Sequence, residues 1–331
     1  MHELILLSAV IILAVCFDFI NGFHDTANAI ATVVSTRVLT PIVAILMAAG
    51  LNFLGALSGT AVAKTIGSGI VGTSVSQEVV IAALIGAIIW NLITWYLGIP
   101  SSSSHALIGG LVGGGIAQAG LTQVNWAVLM NKVLLPLVGS PLVGFIGGYI
   151  IMNILIKLFA NFSPSFVGRF FRQGQVLSSA FMAFSHGSND AQKTMGIITL
   201  ALISAHQIPA APFHVPLWVI VLSASAMAFG TASGGWRIIH TMGTKLVHLT
   251  PIHGFAAETS AATIIEIASR FGFPLSTTHV ISSTILGVGA SKRFKSVRWI
   301  VARGMIQTWI FTIPATVTIS FISYSLLIKL F

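Results

Sequence analysis

The sequence predicts an all-α polytopic membrane protein built from two inverted repeats, each with a discontinuous helix and a Ser/Thr-tipped, re-entrant helical hairpin. Three observations predict it. Hydrophobic residues fill 55% of the 331 positions and charged residues 7%, with a mean hydropathy of +0.96, whereas soluble domains carry about 25% charge. Apolar runs of about 20 residues, enough to cross the hydrocarbon core, recur along the whole chain. Polar motifs interrupt those runs, and they come twice in the same order.

The first element is apolar over residues 4–17, with no basic n-region and no small-residue cleavage site, so it reads as a retained first span. Further hydrophobic segments follow at 42–62, 80–97, 102–118, 133–156, 176–204, 214–231, 255–270, 277–290 and 299–328, the first running on to 31. The stretch 159–175, with Arg169 and Arg172, is the natural junction, dividing the chain into a first repeat at 1–158, a cytoplasmic connecting loop and a second repeat at 176–331. The single Cys16 lies inside the first span, so no disulfide within the chain is possible. The formal charge of +9 sits beside spans, in Lys157, Arg169 and Arg172 and in Lys292, Arg293, Lys295, Arg298 and Arg303. That placement fits a positive-inside membrane protein in contact with the lipid bilayer, and excludes a nucleic-acid partner.

The duplication starts with Asn21-Gly-Phe-His-Asp-Thr-Ala-Asn28 and His186-Gly-Ser-Asn-Asp-Ala-Gln-Lys193, which align Asp25 with Asp190 and Asn28 with Lys193 at an offset of 165. Residues 63–71 parallel 239–247, and Gly98-Ile-Pro-Ser-Ser-Ser-Ser-His105 parallels Gly272-Phe-Pro-Leu-Ser-Thr-Thr-His279. With the N-terminus outside, and each Ser/Thr-broken pair of segments returning to its starting side, both strongly basic loops fall in the cytoplasm and the C-terminus falls outside. Each half then makes an odd number of crossings, so the halves are inverted. The charges fix orientation but do not distinguish re-entrant from spanning hairpins.

An ionisable group inside a span costs several kcal/mol and is a functional-site hypothesis by default. In a helix Asp18, Asn21, Asp25 and Asn28 share one stripe, as do His186, Asp190 and Lys193. Carboxylate and amide oxygens suit Na⁺, Mg²⁺ or Ca²⁺, and a carboxylate can equally carry a proton; the bland alternative is polar glue between helices. Lys193 neutralises Asp190, and its ammonium can stand where a cation would bind. Asp18 has no acidic counterpart, since Ala183 occupies the matching position. The two Pro-x-Ser-Ser/Thr-Ser/Thr-His breaks start new helices, whose free N–H groups and hydroxyls make anion sites. Broken helices at matching positions of two halves point to a transporter binding site. Glu258 and Glu266 lie on one helical face, with Arg270 placed to pair with Glu266.

At these residues the chain resembles the inorganic phosphate transporter (PiT) family, and within it the bacterial low-affinity phosphate permeases. The resemblance rests on residues 22–29, residues 186–196 and the two tips, and spans nearly the whole chain. It implies a homodimer in the cytoplasmic (inner) membrane, importing inorganic phosphate by cation symport without a resident cofactor. By position, phosphate falls to Ser102, Ser103, Ser104, Ser276, Thr277 and Thr278, with Gln192. Cation or proton coupling falls to Asp25, Asn28, Asn189, Asp190 and Lys193, and a bound metal cation to Asp25, Asn28, Asn189 and Asp190. Sodium-coupled relatives carry Asn where this chain has His24 and Lys193, so the expected coupling ion is H⁺ rather than Na⁺, with a divalent metal as a possible companion of phosphate. The rival readings are a sulfate permease of the same fold and Na⁺-coupled phosphate symport. An intramembrane lipid-phosphate hydrolase is disfavoured, because no Arg lies in either motif or tip.

Overall fold

The computed structural model describes residues 2–71 and 75–330. Helices dominate, and the described residues form no sheet, only an isolated bridge between Val71 and Val124. Twelve helices of the described residues fall into two sets of six. The first set is α1 (His2–Ser35), α2 (Pro41–Ala56), α3 (Ala61–Gly69), α4 (Gln77–Leu97), α5 (Ser103–Ala119) and α6 (Trp126–Leu158). The second is α7 (Pro164–Ser204), α8 (Leu217–Ser233), α9 (Trp236–Lys245), α10 (Pro251–Arg270), α11 (Thr277–Lys292) and α12 (Trp299–Leu330).

Local chemistry marks the boundaries. Thr40-Pro41, Ser163-Pro164 and Thr250-Pro251 each put a hydroxyl residue before a proline whose missing N–H costs nothing in the first turn. The Ser163 hydroxyl accepts from Phe166 N–H, and Thr250 with His253 forms a capping box. Ser163-Pro164 starts α7 early, so the expected connecting loop at 159–175 is irregular only as far as Ser163. Pro136 cannot donate in α6, and a π-helical stretch at Leu129–Leu134 precedes it.

Among the described residues four helices are long and apolar enough to cross a membrane alone: Glu3–Ser35, Gln77–Leu97, Trp126–Leu158 and Trp299–Lys329. The expected discontinuous helix of each half is the bent pair α2–α3, broken by 72°, and its counterpart α8–α9, broken by 62°. The Asp-bearing helices α1 and α7 are themselves unbroken. Large apolar side chains such as Leu46, Ile150, Leu177 and Phe311 point outward, as a lipid-facing surface requires.

The packing repeats as the sequence does. α1 crosses α8, and α7 crosses α2; α4 and α5 form one hairpin, α10 and α11 the other. α6 packs on α10 and α11, while α12 packs on α4 and α5, so the closing helix of each half clasps the hairpin of the other. The halves are therefore interleaved rather than side by side. Glycine makes the central crossings possible. A Cβ at Gly22 would lie 2.5 Å from Met227 O, and one at Gly187 would collide with the Asn52 carbonyl.

Candidate functional site

Both hairpins turn on a left-handed glycine, Gly98 (φ 66°) and Gly272 (φ 72°), before the proline and the new helix. Ser102 and Ser276 then cap α5 and α11, each accepting a hydrogen bond at 3.2 Å from the backbone N–H of His105 or His279. The capping leaves Ser103, Ser104, Thr277 and Thr278 free to project from the two helix starts. The tips meet inside the molecule: Ser104 Oγ donates to Leu275 O at 3.1 Å, and the rings of His105 and His279 stack with centroids 4.9 Å apart. Trp309 stacks on His279 at 4.0 Å and donates to Pro100 O, fixing one tip against the other.

The two Asp motifs lie against these tips with matching connections. Ser103 donates to Asp25 Oδ2 at 3.3 Å, and its counterpart Thr277 donates to Asp190 Oδ2 at 3.1 Å. Asn28 donates to Thr278 at 2.9 Å and to Thr277 at 3.2 Å. Lys193, at the position matching Asn28, donates to Ser104, the residue matching Thr278, and to Leu275 O at 3.1 Å. The pattern breaks in one respect: the ammonium also forms a 2.5 Å ion pair with Asp190. Asp25 is held instead by His24 Nδ1 at 2.6 Å, and the far ring nitrogen of His24 lies 3.0 Å from Thr94 Oγ1. All of these groups are buried.

Ligand atoms of Asp25, His186 and Asp190 lie within 4.8 Å of one another, so these three can hold a cation among the described residues. His186 belongs to this set through Nε2, 3.3 Å from Asp190, while its Nδ1 meets Asn52 Oδ1 at 3.1 Å. Two residues stand elsewhere than expected. Asn189 turns toward the second hairpin, donating to Ser269 Oγ at 2.8 Å and Phe273 O at 3.3 Å. Gln192 accepts from Val62 N–H at 2.8 Å and donates to Ser188 O at 2.6 Å, on the far side of α7 from the tips. Helical periodicity explains both: residues one and two steps from Asp190 lie about 100° and 200° around the helix, whereas His186, four steps back, shares its face. Periodicity alone thus points to His186 as the neighbour of Asp190, where the family resemblance had pointed to Asn189.

Asp18 and Asn21, on the same stripe of α1, are fully buried, with Asn21 and Thr194 beside the Asp18 carboxylate. Glu258 is also buried, accepting from Thr32, Ser178 and Gln175 well away from the tips. Glu266 pairs with Arg270 at 3.0 Å, as its spacing suggested.

Two hydroxyl-bearing helix starts facing a carboxylate pair, at the centre of a duplicated broken-helix membrane bundle, define a multi-pass membrane transporter. The chain belongs to the phosphate transporter family (PHO4), matching it over residues 21–166 and again over 160–320. It is 47% identical over 331 residues to the probable low-affinity inorganic phosphate transporter of Bacillus subtilis (strain 168), with 99% of each chain covered. A protein of the same description from Rhizobium meliloti (strain 1021) is 47% identical over 321 residues, 96% of each chain. Another, from Mycobacterium tuberculosis (strain ATCC 25618 / H37Rv), is 45% identical over 325 residues, covering 98% of this chain and 78% of that one. A solved structure described as the sodium-dependent phosphate transporter matches with a TM-score of 0.91 at 26% identity, over 98% of this chain and 100% of that one. These relatives are membrane permeases, not enzymes.

Proposed function

We propose that this protein is a secondary active transporter that imports inorganic phosphate across the cytoplasmic membrane by symport with protons. The observation that carries the reading is the convergence of Ser103, Ser104, Thr277 and Thr278 from two helix starts onto Asp25, Asp190 and Lys193. Hydroxyls and the first N–H groups of α5 and α11 are donors suited to a tetrahedral oxyanion. Phosphate arriving between the tips takes over the bonds that Asn28 and Lys193 now make to the same hydroxyls. Lys193 meets part of its charge. A monohydrogen phosphate can donate its own hydrogen bond to Asp25 or Asp190, which sulfate cannot do, so the carboxylates favour phosphate.

Coupling follows from the asymmetry of the motifs. Lys193 supplies a fixed positive charge beside Asp190, which weakens the case for a metal ion there. Asp25, held by His24, is the carboxylate left to take a proton with each phosphate. Where phosphate travels as a neutral complex with a divalent metal, Asp25 and His186 are the ligands left for the metal, since Asp190 is paired with Lys193. Na⁺ coupling is the second reading, supported by that oxygen-rich cluster and by the likeness to the sodium-dependent phosphate transporter. In the membrane we place the two halves as inverted repeats with both termini outside and the chain as a homodimer.

Phosphate binding to the purified protein tests the reading. Phosphate is expected to raise the thermal unfolding temperature, sulfate much less. Replacing Ser103 and Thr277 together by Ala should remove the phosphate effect while the variant still elutes as a folded protein. Equal stabilisation by sulfate would move the assignment to the sulfate reading.

A further inference from the structure

We propose that a polar cavity between the α2–α3 break and the second hairpin is the vestibule through which phosphate reaches the tips, with Arg270 as its anion-recognition residue. The proposal rests on the phosphate reading above. The cavity has a volume of about 340 Å³, ample for a hydrated oxyanion, and six of its eight lining residues carry polar or charged side chains. Ser188 and Gln192 of α7 line it, and these two flank the buried Asn189–Asp190 pair in sequence. Ser269 lines it too, and its hydroxyl accepts the 2.8 Å bond from Asn189. Asn189, next to Asp190 in sequence, thus ties α7 to the cavity wall at Ser269 and to the second hairpin at Phe273 O. This gives Asn189 and Gln192 a place in transport that the tip geometry denies them.

Arg270 shapes the mouth. Its side chain is 76% exposed at the end of α10, beside the hairpin turn. On a re-entrant hairpin a lipid-facing arginine would cost several kcal/mol, so we take the space Arg270 faces as aqueous. Glu266 binds only Nε, at 3.0 Å, and no described residue takes up the two Nη groups. A planar fork with free donors is suited to an oxyanion. Glu266 is the one carboxylate lining the cavity, and Arg270 neutralises it. Arg270 lies at the opposite end of the 20-residue α10 from its N-terminus, about 30 Å away, so the mouth is remote from the basic residues after α11.

The test is the KM–Vmax split for labelled phosphate in proteoliposomes holding the full-length protein. Arg270→Gln should raise KM about tenfold at low salt with little change in Vmax, and added inert salt should shrink the difference. Arg270→Lys, which keeps the charge but not the planar fork, should raise KM less than Arg270→Gln without reaching wild type. In a Cys16→Ala background, Ser58→Cys modified by an anionic thiosulfonate should lose uptake, and phosphate should slow the modification. An unchanged KM in Arg270→Gln, or full uptake after complete Ser58→Cys modification, overturns the vestibule. Failure of the wild-type protein to carry phosphate in the same vesicles overturns the phosphate reading itself and the vestibule with it.

Discussion

At the scale of single residues the informative difference is between Asn28 and Lys193. Both occupy the same position of the repeated motif, and both donate to a hydroxyl of the opposite hairpin tip. Only Lys193 brings a charge, and it is buried with Asp190 at 2.5 Å. Removing one member of a buried pair strands the other, at a cost of about 3–5 kcal/mol, whereas removing both can be nearly neutral. Lys193→Met should therefore lower thermal stability sharply, and the double variant Asp190→Asn/Lys193→Met should recover most of it while remaining unable to transport. Intrinsic tryptophan fluorescence during heating measures the first, and phosphate uptake the second. Lys193→Asn, which restores the motif's first-half residue, should make uptake respond to Na⁺. The sequence placed Asp25, Asp190 and Lys193 correctly as a buried set, because an ionisable residue in apolar sequence has few places to go. Helical periodicity already turns Asn189 and Gln192 off the Asp190 face, but which groups they meet there depends on the helices packed against the other faces of α7.

At the scale of elements, close helix crossings hold the Asp motifs in place. The motif glycines meet the backbone of the other half: Gly22 meets Met227 and Gly230, and Gly187 meets Asn52. Gly187→Ala has no room and must push α7 away from α2, shifting Asp190 with it. Gly50→Ala, one helix away, meets nothing within 4 Å and gains about 1 kcal/mol of helix propensity. Thermal unfolding should move down for the first and up for the second, and uptake should fall only for the first. Equal behaviour of the two would remove the crossing from the account. The hairpins were legible in sequence because Gly, Pro and Ser/Thr mark a helix stop and restart unambiguously. The start of α7 at Pro164 was read as loop, because its polar first turns lack the apolar periodicity that marks a buried helix.

At the scale of the whole molecule, the exchange of α6 and α12 between the hairpins ties the two halves together. Neither half is expected to fold alone, since each would leave its hairpin without the helix that covers it. The proposed inverted arrangement makes a separate prediction about sidedness. Cysteines placed at residues 161 and 295, in the Cys16→Ala background, should react with an impermeant reagent only from the cytoplasmic face. Labelling of the two from opposite faces would contradict the topology. The duplication was visible as repeated motifs, but the interleaving was not, because a sequence repeat says nothing of which copy's last helix covers which hairpin.

The central claim joins the tip hydroxyls and the paired carboxylates into one phosphate site driven by protons. It is tested most directly by uptake of labelled phosphate into proteoliposomes under an imposed pH gradient or an imposed Na⁺ gradient, with sulfate as competitor. The account predicts uptake that accelerates with an inward proton gradient, resists excess sulfate and is lost in Asp25→Asn. Uptake that ignores the pH gradient and follows Na⁺ would contradict the coupling drawn from Lys193.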